Sequence, residues 1–309
     1  MLNPLHLQTL SVVLRTGSFA AAGRHLGYTG SAVSQQMKAL EAESGLVLFE
    51  RGAHGVKPTA EAQLLTERAI ETLGALAALQ EAVRGIAAGT RGRLGLGSFP
   101  TASEVLAPRA LARFGRDFGE VEVRLEDGEP QELLTRLLEG DLDVIVVFRY
   151  DLVPQSWPPR SMRTPLLIEP VRLLVPDRAT GGSGGVPLGM NTAPSGPVPL
   201  TDFADASWIS TREGTAGALA LERACAAAGF APRIRYRSND YDVVRSFVRA
   251  GLGVAAVPRL AYLGRVGLRD IDVTALHLRR HVEALTMADR HHPAVTGMVN
   301  ALRATAQAT

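Results

Sequence analysis

The sequence predicts a multidomain α+β protein, with a helical amino-terminal part followed by a larger α/β part. Residues 2 to about 89 carry apolar side chains at helical spacing, interrupted by short glycine-containing turns. Beyond Gly92, short apolar strands alternate with helices, and this β-α-β rhythm is typical of a doubly wound sheet. A chain of 309 residues is long enough for two or three domains. Residues 89–92 are glycine-rich and are the predicted hinge.

Composition narrows the class of protein. Hydrophobic residues make up 46% of the chain and charged residues 21%, which is typical of a globular protein. No apolar run reaches the roughly 18 residues of a membrane span, and the first residues lack the features of a secretory signal. We therefore expect a cytoplasmic protein with no membrane partner. The single cysteine, Cys225, excludes an internal disulfide, and its alanine-rich helical surroundings favour a packed core thiol over a redox sensor.

The sequence contains no motif of a catalytic or metal site. GxSxG, HExxH, CxxC and P-loop motifs are missing, and the glycines around Leu96 do not complete a dinucleotide fingerprint. The neighbouring histidines His291 and His292 do not have metal-ligand spacing on one helix face. We therefore expect no catalytic residue, no metal and no cofactor. The net charge of +2 means that nucleic-acid binding must be inferred from the placement of residues.

The first helices have the spacing of a helix-turn-helix. Ser18 can cap a helix over Phe19–Leu26, and the turn Gly27–Gly30 leads into a second helix that ends by Gly45. This spacing leaves the second helix free to enter a DNA major groove. Residues 46–59 are short and broken by glycine, which predicts a β-ribbon or wing.

The segment SFAAAGRHLGYTGSAVSQQMKALEAESGLVLFERGAHGVKPT, residues 18–59, resembles the amino-terminal signature of the LysR-type transcriptional regulators. The matching positions are Ser18, Phe19, Ala21, Ala22, Leu26, Ala32, Val33, Ser34, Leu40, Glu41, Gly45, Leu48, Phe49, Arg51 and Thr59. Gly30, Pro58 and the pair Glu61-Ala62 depart from the usual pattern. The resemblance implies a sequence-specific DNA-binding transcription regulator, with a winged helix-turn-helix over residues 1–60 and a linker helix for dimerisation over residues 61–89.

Polar residues of this segment are the predicted DNA contacts. Gln35 can pair bidentately with adenine, and Lys38 suits a phosphate. A solvated surface side chain explains Lys38 or His54 alone equally well, but the whole set at this spacing favours double-stranded DNA as the partner. The predicted contacts are Ser18, Thr29, Ser31, Ser34, Gln35 and Lys38 around the second helix, and Arg51, His54, Lys57 and Thr59 on the wing.

An apolar seam runs along the predicted long helix from about Ala60 to Ala88. Its members, three and four residues apart, are Leu65, Ala69, Leu73, Leu76, Leu79, Val83 and Ile86. An exposed helix of this length can bury such a seam only against a partner, so we expect a dimer. The resemblance further implies that the effector domains pair two dimers into a tetramer, and RNA polymerase is a candidate further partner.

The segments Glu132–Phe148 and Ser238–Pro258 resemble the effector domain of the same family, which is similar to a periplasmic binding protein. The resemblance implies an effector domain over residues 92–309, with one lobe at about 93–162 and 266–309 and the other at about 163–265. Residues 180–199, rich in glycine, proline and serine, are predicted to form a loop.

Two other classes of protein remain as alternatives. A solute-binding protein of this two-lobed fold would need a secretory signal and would have no use for residues 1–90. A small-molecule enzyme that had acquired a helix-turn-helix would be supported by paired carboxylates or a metal cluster in the cleft.

Candidate effector contacts follow the predicted strands, because open α/β sheets bind ligands at the carboxyl ends of their strands. The helix beginning near Thr101 could bind an anion through its free N–H groups, and Arg149 and Arg212 favour an acidic effector. Several of these residues could equally be helix caps, a role compatible with ligand binding. The candidates are Ser98, Phe99, Thr101, Ala102, Gly128, Phe148, Arg149, Ser210, Thr211, Asn239 and Asp240.

Overall fold

A computed structural model describes residues 1–52, 55–88, 92–177, 197–262, 267–274, 276, 278–290 and 292–309, without the side chains of residues 51, 81, 82 and 84–88. The chain forms two compact units. One comprises Met1–Gly95, Glu120–Arg124 and Gln131–Asp143, and the other comprises Leu96–Gly119, Leu125–Pro130 and Val144–Thr309.

The chain begins with the helices α1 (Pro4–Thr16), α2 (Phe19–Leu26) and α3 (Gly30–Ser44). Each of them ends at a glycine with positive φ, the conformation that glycine adopts without steric cost. The prediction of a helix over Phe19–Leu26 is confirmed. The apolar faces of the three helices share one core, which includes Leu10, Val33, Met37 and Leu40.

The predicted ribbon is also present. Strands β1 (Phe49–Gly52) and β2 (Gly55–Pro58) pair antiparallel, with Glu50 opposite Lys57. They lead into α4 (Ala60–Ala88), the long helix that the sequence predicts.

The remaining helices are α5 (Pro100–Val105), α6 (Ala107–Asp117), α7 (Pro130–Glu139), α8 (Ala216–Ala227), α9 (Tyr241–Arg249) and α10 (Pro293–Ala306). Helical spacing in the sequence predicts a helix over Pro130–Glu139, which α7 confirms, and a single helix over about Ser103–Phe114, which is wrong. Two helices meet at Leu106 instead, because Pro108 lacks the N–H group that a continuous helix would require.

The remaining strands are β3 (Arg93–Ser98), β4 (Glu122–Asp127), β5 (Val144–Tyr150), β6 (Ser161–Pro176), β7 (Val198–Pro199), β8 (Ser207–Ser210), β9 (Arg233–Arg237), β10 (Ala255–Pro258), β11 (Leu268–Ile271), β12 (Val273–Thr274) and β13 (Arg279–Met287). Among the described residues, the largest sheet has seven strands in the order β10-β6-β13-β5-β3-β4, with β11 also paired to β6. Strands β8 and β9 pair in parallel with one another.

The prediction of a doubly wound sheet is only partly correct. Strands β3 and β5 are parallel, as expected, but β13 runs antiparallel to both β5 and β6. The sequence predicts only residues 171–175 of β6 and no strand at β13. Most of the predicted loop at residues 180–199 lies outside the described residues, and Val198–Pro199 pairs with β12.

Candidate functional site

Helix α3 presents a polar face that the rest of its domain leaves uncovered. The Thr29 hydroxyl accepts a hydrogen bond from the Ala32 amide at 3.1 Å, so the helix begins where the sequence predicts. Ser31, Gln35 and Lys38 are exposed and Ser34 is half-buried, all on one side of the helix. This polar face, defined by Ser31, Ser34, Gln35 and Lys38, is free to contact another molecule.

The turn before α3 depends on Gly23, a residue to which no sequence motif draws attention. A Cβ atom at Gly23 would lie 2.7 Å from the carbonyl oxygen of Tyr28 and 3.0 Å from the carbonyl carbon of Thr29. A Cβ atom added at Gly30 would lie 3.2 Å from the Cα atom of Ala20. The approach at Gly23 is therefore one that a larger residue could not adopt without a backbone shift, whereas at Gly30 a side chain would require only a small displacement of Ala20.

The ribbon is tied to α3 by a carboxylate. Glu41 accepts hydrogen bonds from the amides of Leu48 at 2.8 Å and Phe49 at 3.2 Å. Lys57 is exposed on the ribbon. His54 and the Arg51 side chain, both predicted to contact DNA, lie outside the described residues.

Three hydroxyls predicted as DNA contacts already serve as helix caps. Ser18 accepts from the Ala21 amide at 3.1 Å, and Thr29 caps α3 as described. Thr59 accepts from the Ala62 amide at 3.2 Å and donates to the Val47 carbonyl at 2.9 Å. A DNA contact by Ser18, Thr29 or Thr59 remains a prediction, and it would have to be made in addition to the capping bond.

The apolar seam of α4 divides into two parts. Leu65, Ala69 and Leu73 pack against the core of the first three helices. Leu76 is half-buried, whereas Leu79 and Val83 are 60% and 57% exposed. The Ile86 side chain lies outside the described residues. The carboxyl-terminal part of the seam is therefore the part that is available to a partner.

The larger unit contains a small cavity of about 30 Å³. Residues at the ends of β3, β5 and β8 meet around it, as the sequence predicts for a ligand site. The predicted effector residues that line it are Phe99, Thr101, Phe148, Thr211 and Asn239. The lining residues that sequence reasoning does not identify are Pro100, Glu129, Tyr150, Thr215, Gly217, Tyr241 and Arg280.

Arg280 supplies a buried cation to this cavity. Its side chain is 1% exposed, and its Nε donates to Oε1 of Glu169, itself 2% exposed, at 2.6 Å. Its Nη2 donates to the Thr101 hydroxyl at 3.0 Å, and its guanidinium carbon lies 4.8 Å and 5.1 Å from the ring centroids of Phe99 and Phe148. Burial disfavours the charged form and is the largest single influence, but Glu169, Tyr150 and Tyr241 together outweigh it, so the pKa of Arg280 is raised.

Two tyrosines and one amide complete the cavity wall. The hydroxyls of Tyr150 and Tyr241 are hydrogen-bonded to each other, and burial raises the pKa of both phenols. Both therefore stay protonated near neutral pH. The Asn239 amide donates to Glu129 at 3.0 Å, while its carbonyl oxygen accepts from the Arg212 amide at 2.9 Å.

Arg149, the arginine that the sequence favours as an effector contact, does not line this cavity. Side chains alternate along β5, so Phe148 and Tyr150 point to the cavity and Arg149 points to the other face. There its Nε lies 3.4 Å from Oε1 of Glu283. Arg212 is exposed and contributes a backbone amide rather than its guanidinium.

The other predicted effector residues do not line this cavity. Ser98 and Ala102 are buried, and the Gly128 amide donates to the Ser98 carbonyl at 3.1 Å. Asp240 caps α9 by accepting from the Asp242 amide at 2.8 Å. Ser210 lines a second, adjoining cavity.

Cys225 is fully buried, and burial followed by the nearby Glu222 carboxylate raises the pKa of its thiol to about 12. It therefore carries almost no thiolate at neutral pH. In the part of the chain that the structure describes, no group of three or more His, Cys, Asp and Glu side chains could hold a metal ion. Of the helices described, none is long and apolar enough to span a membrane.

Comparisons with known proteins agree with this arrangement. The family model "Bacterial regulatory helix-turn-helix protein, lysR family" matches residues 5–63, and "LysR substrate binding domain" matches residues 87–307. The probable HTH-type transcriptional regulator LrrA of Synechococcus elongatus is 26% identical over 306 residues, covering 99% of this chain and 98% of that protein. The HTH-type transcriptional regulator CbbR of Xanthobacter flavus is 27% identical over 290 residues, covering 92% and 82%.

Solved structures share the fold over the full length. A full-length variant of OxyR from Pseudomonas aeruginosa has a TM-score of 0.64 at 19% identity, covering 98% of this chain and 95% of that chain. Full-length CbnR complexed with its target DNA has a TM-score of 0.59 at 22% identity, covering 98% and 100%.

Proposed function

Because the chain belongs to the LysR family of bacterial transcriptional regulators, we propose that α3 reads the operator and that the Arg280 cavity holds the effector. As a member of this family, the protein is a DNA-binding transcription regulator under the control of a small molecule. The observation that carries the DNA-reading part is the exposed polar face of α3. The buried guanidinium of Arg280 supports an effector with an anionic group.

Each part of the chain has its own proposed function. Residues 1–60 bind DNA, residues 61–89 dimerise, and residues 92–309 bind the effector between lobes at about 93–162 with 266–309 and about 163–265. Paired effector domains would join two dimers into a tetramer, and the protein would work in the cytoplasm without catalysing a reaction.

Substitutions on α3 separate base reading from phosphate binding. We expect Gln35→Ala to lose about 1–3 kcal/mol of discrimination at one base position, because it removes a bidentate contact to adenine. Lys38→Ala should weaken binding to all sequences similarly and reduce the slope of affinity against salt by about one unit. Fluorescence anisotropy with operator and scrambled duplexes at several salt concentrations measures both effects.

Gln131→Ala is a matched control, since Gln131 is exposed on α7 and the substitution removes the same amide group. It should leave both quantities unchanged. A wild-type protein that binds operator and scrambled duplexes equally would overturn the assignment of α3.

The exposed part of the α4 seam should hold the dimer. The double substitution Leu79→Asp with Val83→Asp places two charges in the contact, and burying unpaired charge is strongly unfavourable. We expect a dissociation constant at least about 100-fold weaker, equivalent to about 2.8 kcal/mol, by light scattering over a concentration series. Glu67→Lys, on the far side of the helix from Leu79 and Val83, should leave the assembly intact. A monomeric wild type at micromolar concentration would contradict the proposal.

Thr101 should link the effector to the buried arginine. Thr101→Val keeps the side-chain shape but removes the hydroxyl that accepts from Arg280, and it should abolish the effector response while leaving basal operator binding intact. Operator footprinting with and without effector measures this, and Thr135→Val, away from the cavity, is the control. An undiminished response in Thr101→Val would place the effector elsewhere.

A further inference from the structure

Tyr28 is the one aromatic residue that this protein exposes to solvent. The chain contains nine phenylalanines, five tyrosines and two tryptophans, all within the described ranges. Of these, only Tyr28 is exposed, at 42%. Tyrosine is enriched where proteins bind other molecules, because its ring is apolar and its hydroxyl is polar. Tyr28 lies in the turn between α2 and α3, directly before the polar face of α3.

Packing within the helical core does not account for this side chain. A hydrophobic residue just before the N-cap of a helix often packs against the residue five positions further on, which for Tyr28 is Val33. Val33 is completely buried, yet Tyr28 stays exposed. A large part of the tyrosine is therefore available to another molecule.

The backbone at Tyr28 is held in place on both sides. The Tyr28 amide donates to the Gly23 carbonyl at 2.7 Å, and the next residue, Thr29, caps α3. The Thr29 hydroxyl also lies 2.9 Å from the hydroxyl of Ser31, a member of the polar face. Because the tyrosine is attached at a fixed place beside this face, little conformational entropy would be lost when it binds.

The segment that contains Tyr28 has no carboxylate side chain. Residues 1–40 include Arg15, Arg24 and Lys38 but no Asp or Glu. Arg24 is exposed in the last turn of α2, and Lys38 is exposed on the polar face of α3. Positive charge on both sides of the turn favours a polyanion as the molecule that Tyr28 meets.

We propose that Tyr28 binds the sugar-phosphate backbone of the operator, with its hydroxyl donating to a phosphate oxygen and its ring against the adjoining deoxyribose. The inference rests on the proposed function of α3. When the first turns of α3 lie in the major groove, a residue just before the N-cap lies outside the helix, where the backbone forms the wall of the groove. Tyrosine is among the side chains that donate to DNA phosphates, and such contacts fix the register of a protein on the duplex.

A double-mutant cycle between protein and DNA tests this contact. The full-length protein and Tyr28→Phe are titrated by fluorescence anisotropy with the operator duplex, in which one phosphate at a time is replaced by an uncharged methylphosphonate. Tyr28→Phe should bind the unmodified operator about tenfold more weakly, as expected for the loss of one hydrogen bond to a charged group. At one phosphate in each half-site, the methylphosphonate should weaken binding by Tyr28→Phe several-fold less than binding by the wild type.

Two further readouts distinguish a backbone contact from a displaced α3. Tyr28→Phe should weaken binding to operator and scrambled duplexes by a similar factor, because a phosphate contact carries no sequence information. The slope of affinity against salt should stay the same, because no charge is removed, whereas Lys38→Ala should reduce it. Tyr236→Phe removes the same hydroxyl from β9 and is the control, which should keep the wild-type affinity.

Equal operator affinity in Tyr28→Phe and the wild type would overturn the proposal, and so would additive effects at every phosphate. Weaker binding of Tyr28→Phe to the operator alone, with the scrambled duplex bound as before, would indicate a base contact or a shifted α3 and would also overturn it. The assignment of α3 itself is tested separately, by whether the wild type distinguishes the operator from the scrambled duplex.

Discussion

Replacing Arg280 with methionine should lower the free energy of unfolding by about 3–5 kcal/mol, because it leaves a buried carboxylate without its partner. Glu169 is 2% exposed and receives the Arg280 Nε at 2.6 Å, so water cannot replace the lost cation. The substitution also removes the cation–π contacts that the Arg280 guanidinium makes with Phe99 and Phe148, although methionine keeps a hydrocarbon side chain beside the rings. Urea denaturation followed by circular dichroism measures the change.

The neighbouring residue provides a matched control. Arg279 lies on the same strand and pairs with Asp151 at 3.1 Å, but its side chain is 63% exposed. Arg279→Met should therefore cost no more than about 1 kcal/mol. If Arg280→Met were as mild as Arg279→Met, the buried ion pair would not stabilise this region. If the pair does stabilise it, adding Glu169→Leu to Arg280→Met should regain stability, because no buried charge is then left without a partner.

Gly23→Ala should lower operator affinity on the order of 100-fold. This corresponds to the loss of two base contacts worth about 1–3 kcal/mol each. The added methyl group would lie 2.7 Å from the Tyr28 carbonyl oxygen, and the atoms that it meets belong to the backbone. The turn must therefore shift, and α3 with its polar face shifts with it. Anisotropy titrations with the operator duplex measure the loss.

Gly115→Ala makes the same chemical change without the clash. Gly115 is exposed within α6 and has no atom within 4 Å of an added Cβ. Operator affinity should stay the same, and stability should rise by about 0.5–1 kcal/mol, since alanine favours a helix interior. Wild-type affinity in Gly23→Ala would show that the close approach at this turn is not needed for DNA binding.

The sequence predicts well those features whose causes are local. The hydroxyl caps at Ser18 and Thr29 begin α2 and α3 where expected, and α7 occupies Pro130–Glu139 as predicted. Capping, helical periodicity and glycine termination all act within a few residues, so one segment of sequence contains the information that determines them.

Features that depend on distant residues are not predicted from the sequence. Pro165 and Pro170 interrupt the strand signal of β6, yet its pairing with β13 makes both strands long. Glu169 and Arg280 are far apart along the chain, and only this pairing brings them together at the cavity. Arg149 is the favoured arginine in the sequence because it follows an apolar strand, but strand alternation turns its side chain to the opposite face.

The contact between Tyr150 and Tyr241 is also not predicted from the sequence. Tyr150 and Tyr241 read as ordinary members of a strand and a helix, and their meeting depends on how the strand and the helix pack. The sequence thus predicts those residues of the Arg280 cavity that follow strands. It does not predict the residues that reach the cavity only through packing between distant elements.

Selection of binding sites from a library of random DNA duplexes by the wild-type protein measures whether this chain recognises a specific DNA sequence. A dimer with one α3 in each half should enrich an inverted repeat whose half-sites lie in register with the DNA helix. The same selection with Gln35→Ala should change the preference at one position of each half-site and leave the others. Enrichment of no motif over the starting library, with DNA retained in proportion to its length alone, would contradict the claim that this chain is a sequence-specific regulator.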